Sequence, residues 1–218
     1  QKIYDGQKPK TLAVMGTDFE GLKPKMLIAE GDKVERGTPL FCHKDFPEII
    51  YVSPCNGYVE SINRGERRIL LSVVIAIENL SDNGINYIKL HSKIKPEIEF
   101  VRKCLLDSGL WSSFLTRPYS KVPPPNSEPS SIFVTAMDTE PLCPDTDLII
   151  NKNFEAFKEG IKKISLLTKG DVFTCKKKDS QIEIENFETY GFSGPHPAGL
   201  AGTHMHFLSP ATLTNINW

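Results

Sequence analysis

The sequence contains no apolar run that could cross a membrane as a helix. The longest apolar stretch, Ile69–Ile77, has nine residues, whereas a transmembrane helix needs about 20. Residues 1–10 are polar and contain no apolar core, so they do not form a secretory signal peptide. The sequence therefore predicts that any contact with a membrane is made through a partner.

The sequence contains few cysteines, and its positive and negative charges are nearly balanced. The five cysteines are odd in number and no pair has the C-x-x-C spacing, which favours reduced thiols in a cytosolic setting over a disulfide framework or a zinc site. Lysine and arginine number 26 against 27 aspartates and glutamates, for a net charge of -1. This balance gives no electrostatic reason to expect a nucleic-acid partner.

The sequence also lacks the common nucleotide and nucleophile motifs. No G-x-G-x-x-G follows a predicted strand, and no G-x-x-x-x-G-K-[ST] occurs. Ser193 does not lie in a G-x-S-x-G frame, so no nucleophile elbow is indicated. What remains is the composition of an ordinary globular protein, and 218 residues are enough for two modest domains.

The first ninety residues have the pattern of an all-β domain. Short runs rich in Val and Ile alternate with Gly, Pro and Asn, which predicts a series of strands and turns. Two similar halves, Glu30–Phe41 and Ser53–Gly65, each combine a glycine turn with a short alternating strand. This arrangement resembles the lipoyl/biotinyl-carrier family, whose fold is a flattened β-barrel, or barrel-sandwich, of two intertwined half-motifs.

The resemblance to a carrier does not extend to the modified lysine. Carriers hold it on a hairpin eight residues before the proline of the second half, and here that position is Phe46, before Pro54. Lys44 stands two positions early, and Pro47 alters the turn. We therefore expect residues 1–90 to form a carrier-like β domain without the modified lysine.

Residues 91–218 have a different pattern, typical of an α/β domain. A helix is predicted at 95–109, a proline-rich stretch at 116–129, a strand at 131–137, an amphipathic helix at 153–170 and a strand at 171–175. Strand, helix and strand in this order make a βαβ unit, which predicts a Rossmann-like parallel sheet. Residues 181–184 and 188–192 are candidates for further strands.

Acidic residues follow the first strand of this predicted sheet. The stretch Thr135–Asp147 carries four carboxylates just past the carboxyl end of the strand, the edge where open α/β sheets bind ligands. Their spacing does not match a calcium loop. The simplest interpretation is that Asp138 and Asp147 cap helices and shape turns.

The stretch Ser193–Phe207 holds three of the five histidines, among prolines and glycines. His204 and His206 are two residues apart, so they would share a face on a strand and diverge on a helix. A zinc-binding pair on a helix prefers a spacing of four. Metal binding, acid/base or ligand contact, and structural hydrogen bonding all remain open, and the last is favoured. We expect the segment to be a turn at the ligand edge of the sheet, with no metal site and no catalytic residue.

Three stretches together carry a family resemblance. "SGLWSSFLTRPYSKVP", "IFVTAMDTEPL" and "SGPHPAGLAGTHMHFLSP", in this order behind a carrier-like barrel, resemble the A-subunit family of the sodium-translocating NADH:quinone oxidoreductases. The match covers essentially the whole chain. Because members of the family are longer, we expect this chain to be an N-terminal fragment whose α/β domain is incomplete and whose further C-terminal domains are missing.

The resemblance implies a membrane complex that oxidises NADH, reduces ubiquinone and exports Na+. The protein would be a peripheral component at the cytoplasmic face of the bacterial inner membrane, would contribute to quinone binding, and would dock on the other subunits, chiefly the quinone-proximal membrane subunit. NADH, flavins, an iron–sulfur centre and Na+ would belong to other subunits. The fragment itself is then expected to bind no cofactor and to be inactive alone. The alternative is a purely structural assembly scaffold with no ligand.

The α/β domain also resembles the flavin-binding domains of complex I and of the related Rnf complex, which carry a glycine-rich loop after their first helix. In the corresponding stretch here only Gly109 remains, which implies that flavin was lost and disfavours an independent flavoenzyme. Aromatic and basic residues occupy the place, so we expect quinone binding or subunit docking there. The residues are Trp111, Phe114, Arg117, Tyr119 and Lys121, with Phe19 of the loop Gly16–Leu22 as a second candidate.

In the flavin-binding relatives the segment comparable to Ser193–Phe207 helps to shape the cofactor cleft. The resemblance therefore implies a set of cleft-shaping residues on this segment and on the acidic stretch. They are Asp138, Glu140, His196, Gly199, His204 and His206.

Overall fold

The computed structural model describes Tyr4, residues 6–79 and residues 83–218. The described chain divides into two compact units. The barrel unit holds the described residues up to 114 together with 121–126, and the sheet unit holds 115–120 and 127–218. The predicted domain boundary between residues 90 and 91 stays a prediction.

The barrel unit contains seven antiparallel strands among its described residues. They are β1 (Thr11–Met15), β2 (Pro24–Met26), β3 (Lys33–Val34), β4 (Pro39–His43), β5 (Ile50–Val52), β6 (Asn56–Arg64) and β7 (Leu70–Asn79). Four of them form one sheet in the order β1-β7-β6-β3, and three form a second in the order β2-β4-β5. The predicted run of strands and turns is confirmed.

Alternating side chains of these strands make the core of the barrel unit. Val34, Leu40 and Val59 are buried, as the period of two predicts, while Ile62 is only half-buried. In β7, Val73 and Ile75 are fully buried.

Two helices follow the strands in the barrel unit, α1 (Tyr87–Leu90) and α2 (Glu97–Asp107). The predicted helix at 95–109 is thereby confirmed. Glu97 and Glu99 lie in the first turn of α2, where the partial positive charge of the helix dipole favours carboxylates. Gly109 ends the helix with a φ of 78°, a left-handed conformation that glycine adopts without strain.

The sheet unit is built on three parallel strands in the order β10-β9-β8. They are β8 (Ile132–Thr135), β9 (Val172–Lys177) and β10 (Thr189–Phe192), and the helices are α3 (Thr146–Lys152), α4 (Phe154–Ile164) and α5 (Ala201–Leu208). The helices α3 and α4 connect β8 with its parallel neighbour β9, which confirms the predicted βαβ unit. A cluster of Phe133, Phe173, Cys175 and Met205 packs in the core, with Phe192 and Leu208 against it.

Two sequence-based expectations for this unit were wrong. Residues 181–184 form no strand, because the Lys176 ammonium bonds to the Ser180 carbonyl and the Glu183 carboxylate and so holds this stretch as a loop. The histidine segment is not a turn throughout. Its prolines and the turn are confined to residues 193–200, and the proline-free remainder forms α5.

Candidate functional site

Trp111 is a core residue of the barrel unit. It lies in a 3₁₀ turn, Leu110–Ser113, directly after α2, and its side chain is fully buried. Its indole Nε1 donates to the Pro123 carbonyl over 2.9 Å, and the Arg102 guanidinium lies 5.4 Å from its ring centroid. Arg102, itself buried, donates to the Pro125 carbonyl. Trp111 and Arg102 therefore fasten the proline-rich stretch to α2.

The other predicted residues of the barrel unit are more accessible. Phe114 is half-buried, with its ring edge-on to Trp111 at a centroid distance of 5.6 Å, and Lys121 is exposed. Phe19 is half-buried and lies edge-on to Tyr51, with ring centroids 4.5 Å apart. Burial raises the pKa of Tyr51 to about 12, so its hydroxyl stays protonated beneath Phe19.

Arg117 and Tyr119 belong to the sheet unit. The backbone N–H of Arg117 donates to the Asn217 carbonyl over 2.8 Å, which fixes the main chain. The residue is half-buried, and its guanidinium donates to the Thr116 carbonyl over 3.4 Å. Tyr119 is 57% exposed. The predicted quinone-binding or docking set is thus divided between the two units, and Trp111 is its one fully buried member.

In the sheet unit, the carboxyl end of β8 brings together four of the six predicted cleft residues. Asp138 accepts a hydrogen bond from the Glu140 N–H over 2.9 Å and so shapes a tight turn, as its residue type predicts. His196 Nδ1 lies 3.2 Å from Thr139 Oγ1, and its Nε2 lies 3.8 Å from a Glu140 carboxylate oxygen. Thr139 connects the two segments, yet no motif or charge pattern in the sequence marked it.

Gly199 completes this contact through its backbone. Its N–H donates to Thr139 Oγ1 over 2.9 Å. A Cβ at position 199 would lie 2.6 Å from the Thr139 nitrogen and 2.9 Å from its Oγ1. The close approach of the two backbones therefore requires glycine here.

The two histidines of α5 lie in different environments, as a spacing of two on a helix demands. His204 is fully buried, with Nε2 2.9 Å from the Ala198 carbonyl and its ring 4.3 Å from that of Phe192. Because the carbonyl can only accept, Nε2 carries the proton. Burial lowers the pKa of His204, so the ring is neutral. His206 is exposed beside Phe207.

The acidic stretch supplies a cap from a different residue than expected. Asp145, not Asp147, is the N-cap of α3, and its carboxylate accepts from the Asp147 N–H over 3.3 Å. Lys177 of β9 reaches the same carboxylate over 2.8 Å, and this hydrogen bond lowers the pKa of Asp145. Asp145 thus acts both as a cap and in an ion pair, whereas Oδ1 of Asp147 is buried without a hydrogen-bond partner among the described residues.

Neither a metal cluster nor a membrane span occurs in the described ranges. In residues 6–79 and 83–218, with Tyr4, no three His, Cys, Asp or Glu side chains lie close enough to hold a metal ion. No helix in the same ranges is both long and apolar enough to cross a bilayer.

A shallow groove of about 360 Å³ lies where α1 leads into α2. No signal in the sequence pointed to it, because its apolar positions resemble ordinary helix core residues. The lining residues are Ile88, Ser92, Ile94, Lys95, Glu97 and Phe100.

Two family models match the chain. One, described as the NqrA N-terminal barrel-sandwich hybrid domain, matches residues 1–78, and the other, described as the NqrA second alpha/beta domain, matches residues 97–218. Both descriptions confirm the predicted fold class.

Curated relatives match along the entire chain. Proteins named as the A component of the Na(+)-translocating NADH-quinone reductase are 42% identical over 220 residues in Vibrio atlanticus, 41% over 221 in Neisseria gonorrhoeae and 44% over 223 in Photorhabdus laumondii. Each alignment covers 100% of this chain and 49% of the relative. The chain thus spans about half the length of the curated relatives it matches.

Proposed function

Since this chain belongs to the NqrA family, we propose that it works as part of the NqrA component of a Na+-translocating NADH-quinone reductase. The complex would oxidise NADH, reduce ubiquinone and export Na+, with NADH, flavins, the iron–sulfur centre and Na+ held by other subunits. The observation that carries the proposal is the alignment over 100% of the chain at 42% identity, together with matches to both domain models.

The chain would bind at the cytoplasmic face of the membrane, without crossing it, by docking on other subunits, chiefly the quinone-proximal membrane subunit. Exposed apolar side chains next to the proline-rich stretch support this role. Leu110 and Tyr119 are each 57% exposed, and Leu115 is 42% exposed. Aromatic and large apolar residues are favoured at the centres of protein interfaces, where water is excluded.

The chain would also contribute to quinone binding. A quinone head group needs an apolar wall and a few donors to its carbonyl oxygens. In the barrel unit, Phe114 offers a partly exposed ring and Lys121 a cationic donor. In the sheet unit, Tyr119 offers an exposed ring and Arg117 a cationic donor. Trp111 would contribute only indirectly, because its buried ring supports the Phe114 ring that packs against it.

A purely structural scaffold is the second candidate, and one observation favours it. Trp111 is the largest aromatic side chain of the predicted set, and it is fully buried with its only donor bonded to Pro123. An indole in this position contributes to folding and offers no surface to a ligand. A scaffold needs only the exposed residues of the set, as protein contacts.

Titration with a quinone analogue separates the two candidates. Both this chain and the complete NqrA protein would be titrated, each as wild type and as Arg117→Gln, which retains the backbone bond to Asn217. Quinone handling predicts saturable binding that the substitution weakens by about ten-fold or more, as the loss of a charge-assisted hydrogen bond implies. Lys25→Gln, an exposed change in β2, is the matched control. Absent binding by both proteins, with assembly of the complex lost in Arg117→Gln, would establish the scaffold.

A further inference from the structure

The β6–β7 hairpin of the barrel unit ends in a cluster of arginines. The arginine tip, defined here as residues 64–69, holds Arg64, Arg67 and Arg68 with one acid, Glu66, and therefore a net charge of +2. All four charged side chains are exposed. The chain as a whole carries -1, so this tip is a local departure from its charge balance.

The backbone of the tip is held in a conformation that arginine does not favour. Arg67 and Arg68 have φ values of 53° and 62°, in the left-handed region where glycine and asparagine are the usual occupants. Backbone hydrogen bonds close the turn, from Gly65 N to the Ile69 carbonyl over 2.9 Å and from Ile69 N to the Glu66 carbonyl over 3.1 Å. The Arg64 guanidinium donates to the Arg68 carbonyl over 3.1 Å. Residues held with such a strained backbone cluster at functional sites.

Apolar side chains stand next to these charges. Ile69 is 58% exposed and Leu71 is 40% exposed. An acidic protein surface would pair with the arginines but would leave the exposed Ile69 and Leu71 side chains in contact with polar groups. A bilayer with anionic headgroups satisfies both, because guanidinium groups bond to phosphates while aliphatic side chains enter the boundary with the acyl chains.

We propose that the arginine tip binds the surface of an anionic phospholipid bilayer directly. This contact goes beyond the proposed function, which needs only protein partners, and it contradicts the expectation that membrane contact is made through a partner alone. Arg67 and Arg68 bind headgroup phosphates, and Ile69 enters the interfacial layer beside them. Because the contact is local and shallow, it is reversible and weakens with salt.

Co-sedimentation with vesicles tests the proposal on this chain. Vesicles of equal parts phosphatidylglycerol and phosphatidylcholine are compared with vesicles of phosphatidylcholine alone. Arg67→Asn/Arg68→Asn removes two charges and places residues that tolerate the left-handed backbone. A basic residue near an anionic surface contributes about five-fold to binding, so the double variant should bind about 25-fold more weakly. Lys10→Gln/Lys25→Gln removes the same charge elsewhere on the barrel unit and should bind like the wild type.

A second variant places a reporter at the tip. In Ile69→Trp, the new indole should shift its emission to shorter wavelength with anionic vesicles, while the native Trp111 and Trp218 are buried and respond little. Binding to neutral vesicles with equal strength, no binding to either kind, or an equal loss in the Lys10/Lys25 control would each overturn the proposal. So would an unshifted tryptophan in a protein that does sediment with the vesicles.

Discussion

Replacing Trp111 by Phe gives the sharpest test of how the proline-rich stretch is held. The substitution retains an aromatic ring and removes the indole N–H, which leaves the Pro123 carbonyl without its donor. An unsatisfied buried carbonyl costs about 1–3 kcal/mol, and the lost ring atoms cost about a further 1 kcal/mol in a fully packed site. We expect the free energy of unfolding to fall by about 3 kcal/mol. For a chain of this length that lowers Tm by about 6–12 °C.

Urea unfolding followed by far-ultraviolet circular dichroism measures this effect without using tryptophan emission. Tyr119→Leu, an exposed aromatic change in the same stretch, is the control and should stay within about 0.5 kcal/mol of the wild type. Combining Trp111→Phe with Arg102→Met should be less than additive, because both side chains bind the same proline-rich segment. A loss below about 0.5 kcal/mol, or strict additivity, would show that Trp111 does not hold this stretch.

Three further outcomes follow from the described packing. Gly199→Ala should destabilise the chain by about 1–3 kcal/mol, since its Cβ would press on the backbone of Thr139; thermal unfolding that matches wild type would contradict this. Burial lowers the pKa of His204 below its ordinary value of about 6.5, so the unfolded chain takes up the proton first. The stability that neutral His204 contributes is complete above pH 6.5 and is lost as pH falls toward the lowered pKa. In urea unfolding between pH 7 and pH 5, His204→Gln should therefore reduce the fall in the free energy of unfolding with decreasing pH. An aromatic disulfide reagent should modify two of the five cysteines in the native chain, the half-buried Cys104 and Cys143, and all five in urea. Rapid reaction of all five thiols in the native chain would contradict the described packing.

The fold was largely predictable because its signals are local and repeated. Alternating apolar residues predict the burial of Val34, Leu40 and Val59. The strand–helix–strand order leads to a parallel sheet because a helical crossover joins strands that run in the same direction. The α5 helix was missed for a local reason as well. Glycines and prolines between residues 193 and 199 made the whole segment resemble a turn, although the residues after them could pack a helix on Phe133 and Phe173.

The candidate site was less predictable because it depends on long-range contacts. Thr139 and Gly199 lie sixty residues apart, so their hydrogen bond cannot be predicted without knowing that the fold brings the two segments together. Trp111 shows the same limit from the other side. Its residue type suggested a ligand wall, but whether an indole faces a ligand or the core depends on the Pro123 carbonyl twelve residues away.

The same contacts bear on why this stretch would not hold a flavin phosphate. A phosphate cradle needs converging backbone N–H groups, and proline has none. Here the Pro123 and Pro125 carbonyls accept hydrogen bonds from Trp111 and Arg102, so the stretch presents acceptors to α2 and to the turn that follows it. An anion placed there would meet oxygen atoms, and the nearby guanidinium is already bonded to one of them. This part of the stretch therefore has the wrong polarity for a phosphate cradle and is suited to holding structure.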